Sequence, residues 1–146
     1  MFFRIVFVVL VLCINVVHAG EVRCLASTIW HEARGEPHTG KIAVAKVVLN
    51  RKNHKAYPKT VCGVVSQKGQ FSWVSGKRIP IRYTDEEYAI AKDVHENHQK
   101  YNHILANDVL FFQVKGLKYN WQHKKLLKVK TIGNHNFYRH KKRYDR

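Results

Sequence analysis

The chain has 146 residues, with 26 lysines and arginines against 10 aspartates and glutamates, and its formal net charge is +16 at pH 7. No proline-, glycine- or serine-rich spacer and no internal repeat divides the sequence, which favours one compact domain over a multidomain or repeat architecture. A G-x-S-x-G elbow, a Walker phosphate-binding loop and zinc-type cysteine spacing are all absent from the sequence.

The first residues have the organisation of a secretory signal peptide. Arg4 precedes an apolar run over residues 5–17, and Val17-His18-Ala19 is the small-residue pattern that a signal peptidase cuts. We therefore predict a signal peptide over residues 1–19 and a mature domain over residues 20–146 that is secreted or periplasmic, without a stable membrane span. The alternative is an uncleaved anchor, because residues 2–17 approach the ~18 apolar residues expected of a spanning helix.

Two cysteines remain after such a cleavage. Cys13 is removed, which leaves Cys24 and Cys62 as an even pair in an oxidising compartment. We expect a disulfide between them that joins the first helix to the segment around residues 58–61. Two buried free thiols are the alternative.

The positive charge predicts attraction to polyanions. A secreted protein meets little intracellular nucleic acid, so we expect anionic cell-envelope polymers as partners and no nucleic acid. The basic run over residues 139–143 is a candidate for such binding, although a solvated chain terminus is the commoner fate of a charge run.

Helical patterns occupy the first half of the mature chain. Apolar residues at helical spacing predict an amphipathic helix over residues 22–34, which Gly35 and Pro37 end. The almost wholly apolar segment over residues 42–49 predicts a buried helix, with a strand as the alternative because several of its residues are β-branched.

Two threonines mark further helix starts, and strands follow. Thr60 is expected to cap a short helix that extends to Val65, and Thr84 with Glu87 has the form of a capping box opening a helix to about His98. The β-branched and aromatic segments that predict strands are residues 108–114, 128–132 and 136–138. Because helices precede strands without alternation, the predicted class is α+β.

Glu32 lies near the carboxyl end of the first predicted helix. Glycoside cleavage needs a proton on the leaving oxygen and stabilisation of positive charge on the sugar ring, and a partly desolvated glutamate suits that task. The hypothesis is that Glu32 protonates a glycosidic oxygen; the alternative is a salt bridge from Glu32 to Arg34 or to a lysine. Glu36 is either a second carboxylate or a residue that hydrogen-bonds the backbone and shapes the loop.

The segment Gly69-Gln70-Phe71-Ser72-Trp73 combines aromatic rings with neutral hydrogen-bonding groups. This composition suits stacking on sugar faces and recognition of hydroxyl and acetamido groups, so Gln70, Ser72 and Trp73 are candidates for glycan contact. Aromatic residues near a turn are often part of the core instead, and we expect Phe71 to point inward.

A histidine cluster at His95, His98 and His103 invites a zinc interpretation. A metalloprotease helix requires histidines four residues apart around the glutamate, whereas His95 and His98 are three apart in a polar region. We therefore predict no metal site, and a solvated helix end in its place.

Beyond these residues, the sequence resembles the SleB-type cell-wall hydrolases, a family of spore-cortex-lytic enzymes and related bacterial and phage lysins. The resemblance rests on blocks that occur in order: H-E-A-R-G-E-P at residues 31–37, V-V-L-N-R at 47–51, Q-F-S-W at 70–73, L-F-F at 110–112 and G-N-H-N-F-Y at 133–138.

The resemblance implies a mostly helical, lysozyme-like catalytic domain with a small antiparallel sheet. It further implies that peptidoglycan glycan strands are the substrate and that Glu32 is the catalytic acid of a lytic transglycosylase. Such an enzyme protonates the bond between N-acetylmuramic acid (MurNAc) and N-acetylglucosamine (GlcNAc), then closes a 1,6-anhydro ring, without a cofactor or a second carboxylate. Asn50 and Tyr138 join Gln70, Ser72 and Trp73 as predicted glycan-binding residues.

Two other functions remain open from the sequence. An N-acetylmuramoyl-L-alanine amidase would act on the same polymer and normally needs zinc. A non-catalytic basic module would bind envelope polyanions through charge alone, with an affinity that collapses in salt.

Overall fold

The computed structural model describes residues 2–117 and 124–142, with side chains described from residue 17 onward. Within these ranges helices precede strands, so the predicted α+β class is confirmed. The helices are α1 (Phe2–Ala33), α2 (His38–Asn53), α3 (Val61–Val65) and α4 (Asp85–Glu96), followed by a short 3-10 helix (His98–Tyr101). The strands are β1 (Val109–Val114), β2 (Leu126–Ile132) and β3 (His135–His140).

The helix predicted over residues 22–34 is the last part of the longer helix α1. Val22 is the first buried residue of α1 that the structure describes, whereas Val17 is largely exposed. The helix ends at Ala33, and the turn that follows is closed by a hydrogen bond from the Glu36 backbone N–H to the Ala33 carbonyl (2.9 Å). Among the described residues, no helix combines the length and the apolar character needed to span a membrane.

Helix α2 forms the centre of the domain. The helix predicted over residues 42–49 is confirmed and the strand alternative is wrong. Every residue from 40 to 51 is buried, because α2 packs against α1, α3, α4 and β1 together. A helix surrounded in this way is apolar around most of its circumference, which explains the unbroken apolar run in the sequence.

Four polar side chains on α2 are buried as well, and the sequence pattern did not predict their burial. They are Lys41, Lys46, Asn50 and Arg51. Lys46 Nζ donates to Asn102 Oδ1 (2.8 Å), Asn107 Oδ1 (2.9 Å) and the His98 carbonyl (3.2 Å), and burial lowers the pKa of Lys46 to about 8. A buried lysine is stable only with such a set of acceptors, so these bonds fix the segment after α4 onto α2.

Lys41 joins α2 to the start of α4. Its Nζ lies 2.9 Å from Glu86 Oε1 and 3.1 Å from Glu87 Oε1. Glu87 also completes the predicted capping box, accepting a hydrogen bond from the Thr84 backbone N–H (2.9 Å). The predicted cap of α3 is confirmed too, since Thr60 Oγ1 accepts from the Gly63 N–H (3.0 Å).

The three strands form one antiparallel sheet in the order β1-β3-β2. All three were predicted, although β2 and β3 extend beyond the predicted bounds. The central strand β3 faces the core with His135 and Phe137, and a tight turn at Gly133 (φ +55°) joins it to β2. Strand β2 is an edge strand, and most of its residues are exposed.

The structure contains the predicted disulfide between Cys24 and Cys62. It links α1 to α3 and closes a loop with a sequence separation of 38 residues. A cross-link of that span removes entropy from the unfolded chain, which corresponds to about 3–4 kcal/mol in the chain-entropy model. The disulfide therefore holds the C-terminal half of α1, which carries Glu32, against the core.

Candidate active site

Glu32 lies in the last turn of α1 and is half-buried. Its Oε1 accepts a hydrogen bond of 2.7 Å from the indole Nε1–H of Trp73. Within the described residues Glu32 forms no ion pair, so the alternative of a salt bridge to Arg34 or a lysine is not what the structure contains. The Arg34 guanidinium lies over the Trp30 ring instead, 4.4 Å from its centroid.

Trp73 reaches Glu32 from the loop between α3 and α4. Its ring stacks on His31 with centroids 4.2 Å apart and planes inclined by 7°. Phe71 is buried as expected and lies 5.5 Å from Trp73, which anchors the loop in the core. Gln70 and Ser72 alternate with these rings and are exposed, so their side chains are accessible on the same loop as Trp73.

Arg51 supplies a buried positive charge near Glu32. Burial lowers the pKa of Arg51, and the charges of Tyr57 and Glu32 oppose that shift. The guanidinium lies between 5.7 and 5.9 Å from the ring centroids of Tyr57, Phe71 and Phe111, and Nε donates to the Leu110 carbonyl (2.7 Å). The guanidinium therefore stabilises a carboxylate at position 32 by charge, without contacting it as a salt-bridge partner.

Glu36 contacts the turn between β2 and β3. Its Oε2 accepts from the Asn134 backbone N–H (2.8 Å), and its Oε1 lies 3.9 Å from His135 Nδ1. A Cβ at Gly133 would lie 1.8 Å from Glu36 Oε2, so the turn between β2 and β3 is built closely around this carboxylate. These contacts favour the loop-shaping alternative for Glu36 over a second catalytic carboxylate.

Asn50 and Tyr138 are buried, and this burial favours structural roles over the glycan contacts predicted for them. Asn50 Nδ2 donates to the carbonyls of Ala106 and Val109 (2.9 Å each), and Asn50 Oδ1 lies 2.9 Å from His98 Nε2. Asn50 therefore holds the start of β1 against α2. Tyr138 lies in the central strand β3 with a relative exposure of 4%.

His31 is a site residue that the sequence interpretation missed. Its ring lies between Trp30, at 4.8 Å between centroids, and Trp73, at 4.2 Å. Burial lowers the pKa of His31, a hydrogen bond with the Pro80 backbone opposes the shift, and the charges of Arg34 and Arg82 lower the pKa further. The imidazole is therefore neutral near pH 7, and its Nε2 is buried with no hydrogen-bond partner among the described residues.

Of the histidines considered as zinc ligands, His98 is half-buried and hydrogen-bonded, so the solvated helix end predicted here is wrong for this residue. His98 lies in the buried network with Lys46 and Asn50, and desolvation together with the charge of Lys46 lowers its pKa to about 4. Over residues 17–117 and 124–142, no three histidine, cysteine or acidic side chains come together in a way that could hold a metal ion.

The fold corresponds to that of known catalytic domains. The structure resembles the catalytic domain of the Bacillus cereus SleB protein, with a TM-score of 0.66 and 26% identity over 80% of this chain and 88% of that domain. It also resembles the catalytic domain of the germination-specific lytic transglycosylase SleB from Bacillus anthracis, with a TM-score of 0.67 and 26% identity over 80% and 92%. The fold is thus the lysozyme-like α+β fold of a cell-wall enzyme.

Residues 35–138 match the model of the cell wall hydrolase family. This is more than half of the chain, and the chain belongs to that family. The matched region begins at Gly35, within the turn that follows α1 and three residues after Glu32.

Curated relatives share part of this region. A spore cortex-lytic enzyme of Oceanobacillus iheyensis is 38% identical over 66 residues, which are 45% of this chain and 24% of the relative. The spore cortex-lytic enzyme of Bacillus subtilis is 41% identical over 59 residues, which are 40% of this chain and 19% of the relative. The chain thus spans a quarter or less of the length of these relatives.

The bond between Trp73 and Glu32 leads to a first prediction. Trp73→Phe keeps an aromatic ring to stack on His31 and removes the N–H donor. A hydrogen bond to a charged group contributes about 1.5–3 kcal/mol, so we expect lytic turnover to fall about 10- to 100-fold. Turnover is measured on purified sacculi, with circular dichroism to verify folding; an unchanged rate would show that the indole N–H has no part in the reaction.

Glu36 gives a second prediction. Glu36→Gln retains an acceptor for the Asn134 N–H, so we expect it to retain lysis, whereas Glu36→Ala loses the bond and lowers the free energy of unfolding by about 1–2 kcal/mol. Urea denaturation and sacculus lysis measure the two effects. A folded Glu36→Gln variant without lytic activity would make Glu36 a catalytic carboxylate.

Proposed function

We propose that this protein is a peptidoglycan lytic transglycosylase in which Glu32 acts first as acid and then as base. The observation that carries this proposal is the environment of the Glu32 side chain. Glu32 is half-buried at the end of a helix, and its carboxyl group accepts a hydrogen bond from a neutral indole N–H. Membership of the cell wall hydrolase family and the likeness to SleB catalytic domains support the substrate class. The residue assignment rests on the geometry, because Glu32 precedes the matched region.

The proposed reaction needs one carboxyl group. Protonated Glu32 donates its proton to the oxygen between MurNAc and GlcNAc, and the bond from that oxygen to C1 of MurNAc breaks. The resulting Glu32 carboxylate takes the proton of the C6 hydroxyl of the same MurNAc, whose oxygen bonds to C1 and closes the 1,6-anhydro ring. The proton count balances, and Glu32 ends the cycle protonated.

The residues around Glu32 favour the ionised carboxylate that exists after proton donation. After proton donation Glu32 carries a negative charge, which the indole N–H of Trp73 stabilises directly and the buried charge of Arg51 stabilises at longer range. Groups fixed before the reaction need no reorganisation when charge develops, which makes them effective in catalysis. Gln70, Ser72 and the Trp73 ring are the proposed glycan contacts, because they lie on the loop that reaches Glu32.

Secretion is part of the proposal. Residues 1–19 would be removed, leaving residues 20–146 as the catalytic domain at the cell envelope. Two features of the structure support a boundary there. Val22 is the first buried residue among the side chains described from residue 17 onward, and Glu21 Oε2 accepts a hydrogen bond from the Val61 backbone N–H, which joins the first mature residues to α3.

We also propose that the domain binds anionic envelope polymers through one end of its sheet. Antiparallel pairing of Leu126 with His140 brings the residues before β2 next to those after β3. The lysines brought together in this way are Lys124, Lys125, Lys141 and Lys142, and all are exposed. Clustered lysines attract a polyanion by charge, with an affinity that falls in salt.

The proposed reaction predicts the products. Wild-type protein is expected to release muropeptides with 1,6-anhydro ends, each one water lighter than a hydrolysis product, as measured by mass spectrometry of digested sacculi. Glu32→Gln removes the transferable proton and is expected to remain folded and lose nearly all release, while the surface control Glu96→Gln retains it. Free stem peptides would indicate an amidase, and binding without release would indicate a non-catalytic module.

The polymer-binding surface is tested separately. Replacing Lys124, Lys141 and Lys142 by glutamine should weaken binding to a poly(glycerol phosphate) several-fold and reduce the salt dependence of that binding, because fewer counterions are released. The control replaces three exposed lysines elsewhere, Lys55, Lys68 and Lys77, and has the same net charge. Equal losses in both triple variants would assign the effect to net charge alone.

A further inference from the structure

Two arginines converge on one tryptophan beside the proposed active site. The guanidinium carbon of Arg34 lies 4.4 Å from the Trp30 ring centroid, and that of Arg82 lies 4.1 Å from the same centroid. Arg34 follows directly after α1, whereas Arg82 comes from the loop that precedes α4. Two distant parts of the chain therefore bring positive charge to one ring.

The backbone of Arg82 is held in place by α1 itself. The buried side chain of Ser27 donates to the Pro80 carbonyl (2.6 Å) and accepts from the Arg82 backbone N–H (3.1 Å). Arg82 is thus positioned by its main chain, and its side chain remains exposed. Replacement of that side chain leaves the bonds that fix the loop intact.

Neither guanidinium group has an acidic partner in the part of the chain that the structure describes. A single arginine on a tryptophan is a common arrangement that contributes about 0.5–1 kcal/mol at an exposed site. Two positive charges held near one ring raise each other's electrostatic energy, and an anion bound beside them offsets that cost. Guanidinium groups bind carboxylates through paired N–H donors, which makes a carboxylate the fitting ligand.

The arginine pair is linked to Glu32 by ring contacts. Trp30 contacts His31, His31 stacks on Trp73, and Trp73 donates to Glu32. The two arginines also act electrostatically on His31. The arginine pair thus lies on the same cluster of rings that contacts Glu32.

We propose that Arg34 and Arg82 form a carboxylate-binding subsite that recognises the peptide stem of the MurNAc unit at the point of cleavage. The inference rests on the proposed function. The glycan strand itself is neutral, and its MurNAc units carry a short peptide whose free carboxylates hold the negative charge. The subsite takes the free carboxylate of the second stem residue, D-glutamate, and discriminates against stems in which that group is an amide.

Two ligands that differ at one group test the subsite directly. MurNAc-L-alanyl-D-glutamate with its γ-carboxyl blocked as a methylamide, and the same compound with its α-carboxylate converted to an amide, are titrated into the full chain, and the tryptophan indole N–H signals are followed by NMR. We expect the acid to bind about 10-fold or more tightly than the amide, from paired charge-assisted hydrogen bonds. The preference should disappear in Arg34→Gln and in Arg82→Gln, while Arg78→Gln, an exposed arginine elsewhere, retains it.

Failure of this inference is separable from failure of the proposed reaction. The same titration on Glu32→Gln should retain the preference, because binding needs no proton transfer, whereas product release is lost. Equal affinities of wild-type protein for the two ligands, including no measurable binding of either, would overturn the subsite. A preference that persists in the Arg34→Gln, Arg82→Gln double variant would also overturn it.

Discussion

The burial of residues 40–51 of α2 is the constraint on which the rest of the structure depends. Polar groups on a helix packed in this way find their partners mainly in neighbouring elements, because little water reaches them. Lys41 therefore determines where α4 starts, Lys46 where the segment after α4 runs, and Asn50 where β1 begins. The same helix places the Arg51 guanidinium among aromatic rings and near Glu32.

The site forms where one loop and one turn meet the end of α1. The helix ends at Ala33, so the side chains of its last turn face these segments and not a further turn of helix. The loop between α3 and α4 brings Arg82 to Trp30 and Trp73 to Glu32, and the turn after β2 receives Glu36. The two glutamates of one short motif thus lie in different surroundings, Glu32 at the proposed active site and Glu36 in the turn between β2 and β3.

Local patterns in the sequence were sufficient for the elements. The helices, both threonine caps and the three strands follow from residues close together in the chain, whereas the cysteine pair was predicted from the number of cysteines left after signal cleavage. The contacts that make the site are not local: Trp73 and Glu32 are 41 positions apart, and Ser27 and Arg82 are 55 apart. Sequence periodicity carries no information on such long-range pairs, so the positions of His31 and Arg82 at the site were not predicted.

Asn50 shows the same limit of sequence interpretation, here for a residue that was predicted to contact glycan. An amide in a motif shared with a glycan-cutting family is a reasonable candidate for reading sugar groups. Only the packing of β1 across the end of α2 shows that both ends of this amide are already used. The residue type determines which groups a side chain can bind. The fold determines whether its hydrogen-bonding groups are used by the backbone or remain available to a ligand.

The strongly basic composition makes the surroundings of Glu32 informative. With 26 lysines and arginines in the chain, a cationic partner for a carboxylate is easily available, yet the hydrogen bond that Glu32 accepts comes from a neutral indole. A direct salt bridge would favour the ionised form throughout and oppose proton donation. An N–H donor orients the carboxyl group without supplying a full opposite charge, which suits the acid-then-base role that we propose for Glu32.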